Sequence, residues 1–362
     1  MATLPTSLLF PAVPFPRDDG QSGPSPPEPG AQMVGIARLA SASPQADAKR
    51  GVEYFLLPAK SIVNRCESRR VPFPWSVNPY RGCEFGCQYC YARYTHEYME
   101  LAGGDFENKI FVKQNPGPLA ARDLLSRGLR GEHIAIGSAT DPYQPAEKEF
   151  GATRAILEEM ARLDGLSVSI TTKSNLVLRD TELLKRIAQR SNISVNMTVT
   201  TPRAALARLL EPRAPRPDLR LAAVRELRRA GIETGVFAMP VLPGITDGEE
   251  DLDTLAREAS RAGARWFGAS VLFLMPASRE QFLPFLRRKF PQLVRRYREF
   301  YGGNRAYPPG EYRRQIGQLV DTLRRKYDLK KRLPEAGTKG APPLQLSMDW
   351  AHPGSGSVGS RC

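Results

Sequence analysis

The sequence contains no run of about 18 apolar residues, which excludes a membrane-spanning helix of ordinary length. It has only five cysteines among 362 residues, too few for a disulfide framework, and a reducing cytoplasm is the expected setting. No Lys or Arg precedes Arg17, and Pro5, Pro11 and Pro14 break the short apolar stretch before it, so a secretory signal is not expected. No internal repeat is present, and the composition is neither collagen-like nor that of a coiled coil. Acidic residues are in short supply, 38 against 52 basic ones, and the formal charge is +14. That surplus points to a polyanionic partner, although it speaks to association and not to mechanism. What is there is globular: 41% apolar and 25% charged residues, with length for one large domain or two.

Residues 1–50 read as a disordered tail, because eight of the first thirty are Pro and Gly20, Gly23 and Gly30 add further breaks. From residue 51 to residue 285, short β-rich runs alternate with amphipathic helical patterns. Strands are predicted at Ser76–Tyr80, Lys109–Lys113, His133–Ser138, Ser167–Thr172, Ile193–Thr198, Glu233–Met239 and Arg265–Leu274. Helices at Tyr91–Leu101, Pro118–Arg127, Thr153–Arg162, Thr181–Ala188, Leu219–Ala230 and Glu249–Ala262 follow the first six. Such units in series require parallel strands with right-handed crossovers, which form an open partial barrel or a doubly wound sheet. Residues 286–332 read as a basic helical extension: 287–332 hold 15 Lys or Arg and 4 Asp or Glu, with helices at Leu293–Tyr301 and Glu311–Tyr327. Residues 333–362, with a Gly/Ser-rich run at 354–359, read as a second disordered tail.

The segment Cys83-Glu-Phe-Gly-Cys87-Gln-Tyr-Cys90 places three thiols within eight residues, directly after a predicted strand. One short loop thus offers three metal ligands. Gly82 and Gly86 let the backbone wrap a bulky group, and Arg81 adds charge expected to favour thiolates. Three ligands suit an iron–sulfur cube with one open iron, since electron-transfer clusters carry four cysteines. Zinc is the rival, with His96 completing a Cys₃His set, and three unliganded core thiols are the plain alternative.

Cys83-x3-Cys87-x2-Cys90, with aromatic Tyr89 before the third cysteine, resembles the signature of the radical S-adenosylmethionine (SAM) superfamily. Asn78-Pro-Tyr-Arg-Gly-Cys83, Cys90-Tyr-Ala-Arg93, Thr140-Asp-Pro-Tyr-Gln-Pro145 and Thr172-Lys-Ser174 resemble its spore photoproduct lyase-like branch. The likeness covers roughly residues 54–280. It implies a partial (β/α)₆ barrel and a [4Fe–4S] cluster on Cys83, Cys87 and Cys90, whose fourth iron chelates SAM. It further implies one-electron cleavage of SAM to methionine and a 5′-deoxyadenosyl radical that takes hydrogen from substrate. An electron donor such as flavodoxin or ferredoxin would feed that step. The cofactor supplies the radical, and the protein must position it and exclude water.

By the same resemblance Tyr89 lies beside the adenine, Thr140 and Lys173 contact SAM, and Tyr89 and Tyr91 take part in radical return. Asp141 and Ser174 adjoin those contacts at the ends of the third and fourth predicted strands, where a Lys can meet a carboxylate. Lys113 and Asn115, ending the second predicted strand, and Asn196 and Thr198, on the fifth, are further candidates with plain loop or core alternatives. Gly103-Gly104-Asp105 looks like the Gly-Gly-Glu run with which many members hold the SAM amino group at the end of the second strand. Here it precedes that strand and reads as a turn. Gly244 reads as shaping a loop at the sixth strand. Ser138 stands where the lyases have a hydrogen-donor cysteine, and Cys66 lies off that strand. A serine O–H bond is too strong for that task, so thymine-dimer repair by that route is not expected.

Arg and Lys of residues 287–332 interleave with Tyr297, Tyr301, Tyr307 and Tyr312. That pattern suits phosphate contact and base stacking, or else a solvated helix face packed by its apolar side. The expectation is a radical SAM enzyme acting on nucleic acid. RNA or protein modification, or a non-catalytic zinc-containing nucleic-acid-binding module, are the alternatives.

Overall fold

The computed structural model describes residues 33–49, 51–67, 71–303 and 305–332. Gly35–Ser41 form helix α1 and Gln45–Lys49 strand β1, so structure begins inside the stretch expected to be a tail. The Pro-rich residues before 33 and the second expected tail, with Cys362, lie outside the described residues. β2 (Val52–Leu57) pairs antiparallel with β1, and β3 (Val63–Arg65) pairs antiparallel with β4 (Trp75–Val77). β5 (Tyr80–Arg81) leads into the cysteine loop, which is followed by α2 (Tyr94–Glu97), β6 (Lys109–Lys113) and α3 (Pro116–Ser126). Then come β7 (His133–Ile136), α4 (Glu147–Phe150), α5 (Ala152–Met160), β8 (Ser167–Thr172), α6 (Thr181–Ala188) and β9 (Asn192–Thr198). α7 (Ala204–Leu210) and α8 (Pro217–Arg229) precede β10 (Glu233–Val241), and α9 (Glu249–Arg261) precedes β11 (Phe267–Val271).

The larger sheet has the order β11-β10-β9-β8-β7-β4-β3, with β4 and β7 to β11 all parallel. Six parallel strands carrying connecting helices make a partial (β/α)₆ barrel, which decides between the two architectures left open by periodicity. One expected barrel strand is missing from it. Lys109–Lys113 forms the smaller sheet, β1-β2-β6-β5, parallel to β2 and antiparallel to β5. Periodicity shows that a segment is a strand but not which neighbour it pairs with. β7 holds the second barrel position, its Ala135 paired with Ser76 of β4.

Alternation along these strands separates an apolar outer layer from a polar interior. Val168 and Ile170 of β8 and Ile193, Val195 and Met197 of β9 pack with Leu183, Leu184 and Ile187 of α6. The intervening residues bond to one another. His133 contacts Ser167 Oγ at 3.2 Å and Ser169 Oγ at 3.0 Å, and Asn196 Oδ1 accepts from Trp266 Nε1 at 3.2 Å. Gly235 lies under that indole, where a Cβ would sit 2.3 Å from Trp266. Only glycine fits there.

After β11 the chain forms α10 (Pro276–Lys289), α11 (Val294–Tyr301) and α12 (Gly310–Lys326). α10 and α11 pack Phe282, Leu286, Tyr297 and Tyr301 against Leu206, Leu210 and Leu242. α12 instead sends Tyr312, Ile316, Val320 and Leu323, at helical spacing, into the barrel's own apolar layer beside β11 and α9. The extension therefore ends with α11, and α12 is the barrel's sixth outer helix. Tyr297 and Tyr301 are fully buried and stacked at 5.6 Å, and Tyr312 donates to Asp247 Oδ2 at 2.8 Å. Tyr307 packs on Phe273 at 4.6 Å. Three of the tyrosines expected to stack on bases, Tyr297, Tyr301 and Tyr312, are core residues, Tyr307 is half-buried against that core, and the arginines between them make the solvated face. Beyond α12, Lys330 bridges Trp266, and the Arg332 guanidinium covers the indole at 5.2 Å while donating to Asn196 Oδ1 and to Ser194 Oγ (3.1 Å). Arg332 thus closes the barrel floor, at the N-terminal ends of the strands.

Candidate functional site

The cysteine loop leaves the C-terminal end of the first barrel strand through Gly82, whose φ of +84° and 2.7 Å approach of a Cβ to the Lys109 carbonyl admit no side chain. Braces from four directions hold the loop. Thr140 Oγ1 and Gln144 Nε2 donate to the Gly82 carbonyl at 2.6 and 3.1 Å, and Gln144 Oε1 accepts from Glu84 N–H at 2.9 Å. Arg93, fully buried and paired with Glu107 at 2.6 Å, donates to the Cys87 carbonyl at 3.2 Å. Ser278 of α10 donates to the Cys90 carbonyl at 3.0 Å, and Gln88 N–H donates to the Leu210 carbonyl at 2.9 Å.

Cys83, Cys87 and Cys90 are free thiols. Burial pushes Cys83 well above its ordinary range, Cys87 up to about 12 and Cys90 upward as well, against the pull of Lys173 on Cys87 and of Arg93 on Cys90. The expectation that Arg81 favours thiolates fails on this balance: burial dominates, and Arg81 lies by Tyr94 and Tyr98. A metal is what turns such thiols into thiolates. The donor set fits a cube better than zinc. Zinc needs four donors around one point, and among the described residues no three His, Cys, Asp or Glu side chains converge on a single-ion site. A cube takes each thiolate on a different iron. His96, the expected fourth zinc ligand, is turned away: its Nε2 lies 3.0 Å from the Lys109 carbonyl, and its ring is wedged edge-on between Phe106 and Phe111.

Around the loop lies a buried charge network. Glu211 is completely buried, paired with Arg220 at 2.5 Å and with Lys173 at 3.9 Å, and it accepts from Thr200 Oγ1 at 2.6 Å and from the Tyr89 hydroxyl. Burial opposes its charge, yet Arg220 and Lys173 hold the carboxyl down to about 2. Burial likewise opposes the charge on Lys173, but Glu211 and Cys87 outweigh it and raise the amine. Lys173 Nζ also lies 5.8 Å from the centre of the Tyr89 ring.

Of the expected residues, Tyr89 and Lys173 come together beside Cys87. Thr140 spends its hydroxyl on the loop. Asp141 joins the ends of β7 and β8, accepting from Thr172 Oγ1, Lys173 N–H and Tyr143 N–H at 2.7, 2.7 and 2.9 Å. Ser174 caps the turn after β8 by accepting from Leu176 N–H at 3.2 Å. Tyr91 donates to the Ser138 carbonyl, and Ser138 Oγ accepts from Asn78 Nδ2 at 2.9 Å. Lys113 ends β6 of the smaller sheet and Asn115 precedes α3, Asn196 serves the floor, and Gly244 abuts Leu293 of the extension. The second barrel strand is followed by Gly137–Asp141, whereas Gly103-Gly104-Asp105 lies in a short helical turn before β6. Glu211, Arg220, Thr200 and Gln144 were not singled out by sequence. Only Gln144 lay in a quoted phrase, and the Tyr89–Glu211 contact spans 122 residues.

The family model for the radical SAM superfamily matches residues 77–256. An uncharacterized protein from Mycobacterium tuberculosis is 36% identical over 317 residues, 87% of this chain and 90% of that one. The radical SAM Nalpha-GlyT isomerase of Pseudomonas phage M6 is 29% identical over 174 residues, 47% of this chain and 33% of that one. Spore photoproduct lyase complexed with dinucleoside spore photoproduct has the same fold, with a TM-score of 0.56 at 15% identity over 76% of this chain and 79% of that one. The chain belongs to the radical SAM superfamily, whose cofactors are a [4Fe–4S] cluster and SAM. No described helix is long and apolar enough to cross a membrane.

Proposed function

We propose that the chain is a radical SAM enzyme that takes hydrogen from a nucleic-acid substrate, with Cys83, Cys87 and Cys90 as the cluster ligands. The observation that carries this reading is the trio of free, buried thiols on one braced loop beside Lys173 and Tyr89. When bound, the cluster and SAM supply one-electron cleavage of SAM and hydrogen abstraction, the electron coming from a donor such as flavodoxin or ferredoxin. The chain's own residues do the rest. Lys173 is the cation for the SAM carboxylate, and the Tyr89 ring, its hydroxyl fixed by Glu211 and Thr200, is the wall for the adenine. Thr140, Gln144, Arg93 and Ser278 keep three loop carbonyls in place while the thiolates are formed. Tyr91 is the residue for hydrogen return, and Ser138, tied to Asn78 and Tyr91, is a brace and not a donor.

Two observations support nucleic acid as substrate. α10 and α11 present Arg287, Arg288, Lys289, Arg295 and Arg298 to solvent, where they can meet phosphates. The lyase of like fold holds a dinucleoside. The test is anaerobic incubation of iron–sulfide-loaded protein with SAM, a reductant and perdeuterated DNA or RNA. Deuterium should enter 5′-deoxyadenosine. Label arriving only from a deuterated peptide, or from none of the nucleic acids, would overturn the reading.

A further inference from the structure

We propose that the outer face of α7, beside the cysteine loop, is the docking surface for the electron donor, a small acidic protein with a one-electron centre. Under the radical SAM reading, on which this rests, one electron must reach the cluster from outside the chain. α7 lies directly on the loop. Gln88 N–H donates to the Leu210 carbonyl at 2.9 Å, and Cys87 packs against the apolar cluster that contains Leu206 and Leu210. The chain after α7 continues along the loop. Arg213 N–H donates to the Phe85 carbonyl at 3.3 Å, and a Cβ on Gly86 would sit 3.7 Å from Pro212. α7 turns Leu206, Ala207 and Leu210 inward and presents Arg208 and Leu209 to solvent. One short helix therefore lies between Cys87 and this surface.

Charge and apolar content define the partner. Between residues 203 and 216 the exposed charged side chains are Arg203, Arg208, Arg213 and Arg216, and the one acid, Glu211, is buried. Arg203 is paired with Asp251 and Arg216 with Asp218. Arg208 and Arg213 donate to uncharged oxygens instead. Arg208 reaches the Pro212 carbonyl at 2.8 Å, and Arg213 reaches the Glu107 carbonyl and Asn108 Oδ1 at 3.1 and 3.3 Å. The Glu107 carboxylate itself is paired with Arg93. Both arginines thus keep a charge for a partner's carboxylates. Leu209, 41% exposed, supplies the apolar centre that a protein partner buries. Nucleic acid is the other polyanion, but residues 203–216 hold no aromatic side chain on which a base could stack. Tyr91, the proposed residue for hydrogen return, reaches the Ser138 carbonyl beyond β7, whereas Gln88 is held by Gln281 of α10 at 3.2 Å on the α7 side. Donor and substrate therefore meet different parts of the loop. In the transfer the donor is oxidised by one electron and the bound cluster is reduced by one, and no bond forms or breaks.

The experiment uses the full chain loaded with iron and sulfide, under anaerobic conditions. The probes are reduced flavodoxin as the acidic donor, dithionite as a small reductant and a single-stranded DNA oligonucleotide. The variants are Arg208→Glu and Leu209→Ser on α7 and, as a control on the exposed face of α11, Arg295→Glu. Calorimetry reads affinity, and bleaching of the cluster's visible absorbance reads arrival of the electron. Arg208→Glu should weaken flavodoxin binding about tenfold at low salt and slow flavodoxin-driven bleaching to match, the difference shrinking as ionic strength rises toward about 1 M. Leu209→Ser should weaken binding roughly threefold at any salt, and Arg295→Glu should change it by less than about twofold. Dithionite should bleach wild type and variants alike. A wild type that dithionite does not bleach would refute the radical SAM reading, and this surface with it. No flavodoxin binding by the wild type, unaltered affinity in either α7 variant, or an equal loss in Arg295→Glu would overturn the surface and leave that reading standing. So would a loss of oligonucleotide affinity without a loss of flavodoxin affinity in Arg208→Glu, which would give this face to nucleic acid.

Discussion

Buried charge is handled in opposite ways at the barrel mouth and in the smaller sheet. At the mouth Glu211 is paired with Arg220 and Lys173, and Arg93 with Glu107. In the smaller sheet Arg81 and Lys113 lie on one face with no carboxylate of their own. The mouth is thus a compensated frame that keeps its shape before a cofactor arrives. A close ion pair marks a brace, whereas an unpaired buried cation costs stability.

The comparison can be broken at several points. Cys87→Ala has the largest expected effect, because it removes a proposed ligand and leaves the frame intact. Iron and sulfide should fall from about four each per chain and SAM cleavage should drop to background, as measured by metal analysis and by release of 5′-deoxyadenosine. Retained cleavage would refute the ligand assignment. Next comes Glu211→Gln, which strands Arg220 and Lys173 and should cost about 3–5 kcal/mol in denaturant unfolding. Because the Glu211 carboxyl is held near 2 in the fold against an ordinary 4.5, its stabilisation is complete above the ordinary value and is lost as pH falls through the folded one. The gap between wild type and variant should be widest above about pH 5 and narrow toward pH 2.

Lys113→Met should act with the opposite sign. The folded amine titrates at about 7 and the unfolded one at 10.5, so between those values the unfolded chain holds the extra proton and wild-type stability rises with pH. The variant should be more stable than wild type by roughly 2–4 kcal/mol below pH 7, with the advantage fading toward about pH 10. Equal stability across that range would erase the contrast between the two regions. The smallest effect is expected of Thr140→Val. Gln144 still donates to the Gly82 carbonyl, so the loss should be about 1 kcal/mol, with SAM affinity changed by no more than about twofold. A large loss of SAM affinity would make Thr140 a SAM contact after all.

Much of the site was legible because its ligands are neighbours in sequence: the cysteine spacing names the chemistry without any fold. The barrel strands were legible too, through alternation, but β1, β2 and β3 were not among the expected strands. Sheet membership was not, since Lys109–Lys113 has the same local pattern whether it pairs with β2 or with a barrel strand. The charge network was invisible for a related reason. Glu211 follows an ordinary amphipathic helix and meets Tyr89 only through the closing of the barrel. The tyrosines of residues 297–312 misled because arginines dominate the composition there. Tyr297 and Tyr301, four apart, are spaced to share a helix face, and that face is turned inward.

The closure of the floor by Arg332 has a consequence for the life history of the chain. The loop with the three thiols is synthesised within the first quarter of the sequence, whereas the residue that completes the barrel interior is made near its end. The thiols and the residue that seals the floor are therefore made at well-separated times. A chain halted before Lys330 would hold the first without the second, with Asn196 and Trp266 open to water from below.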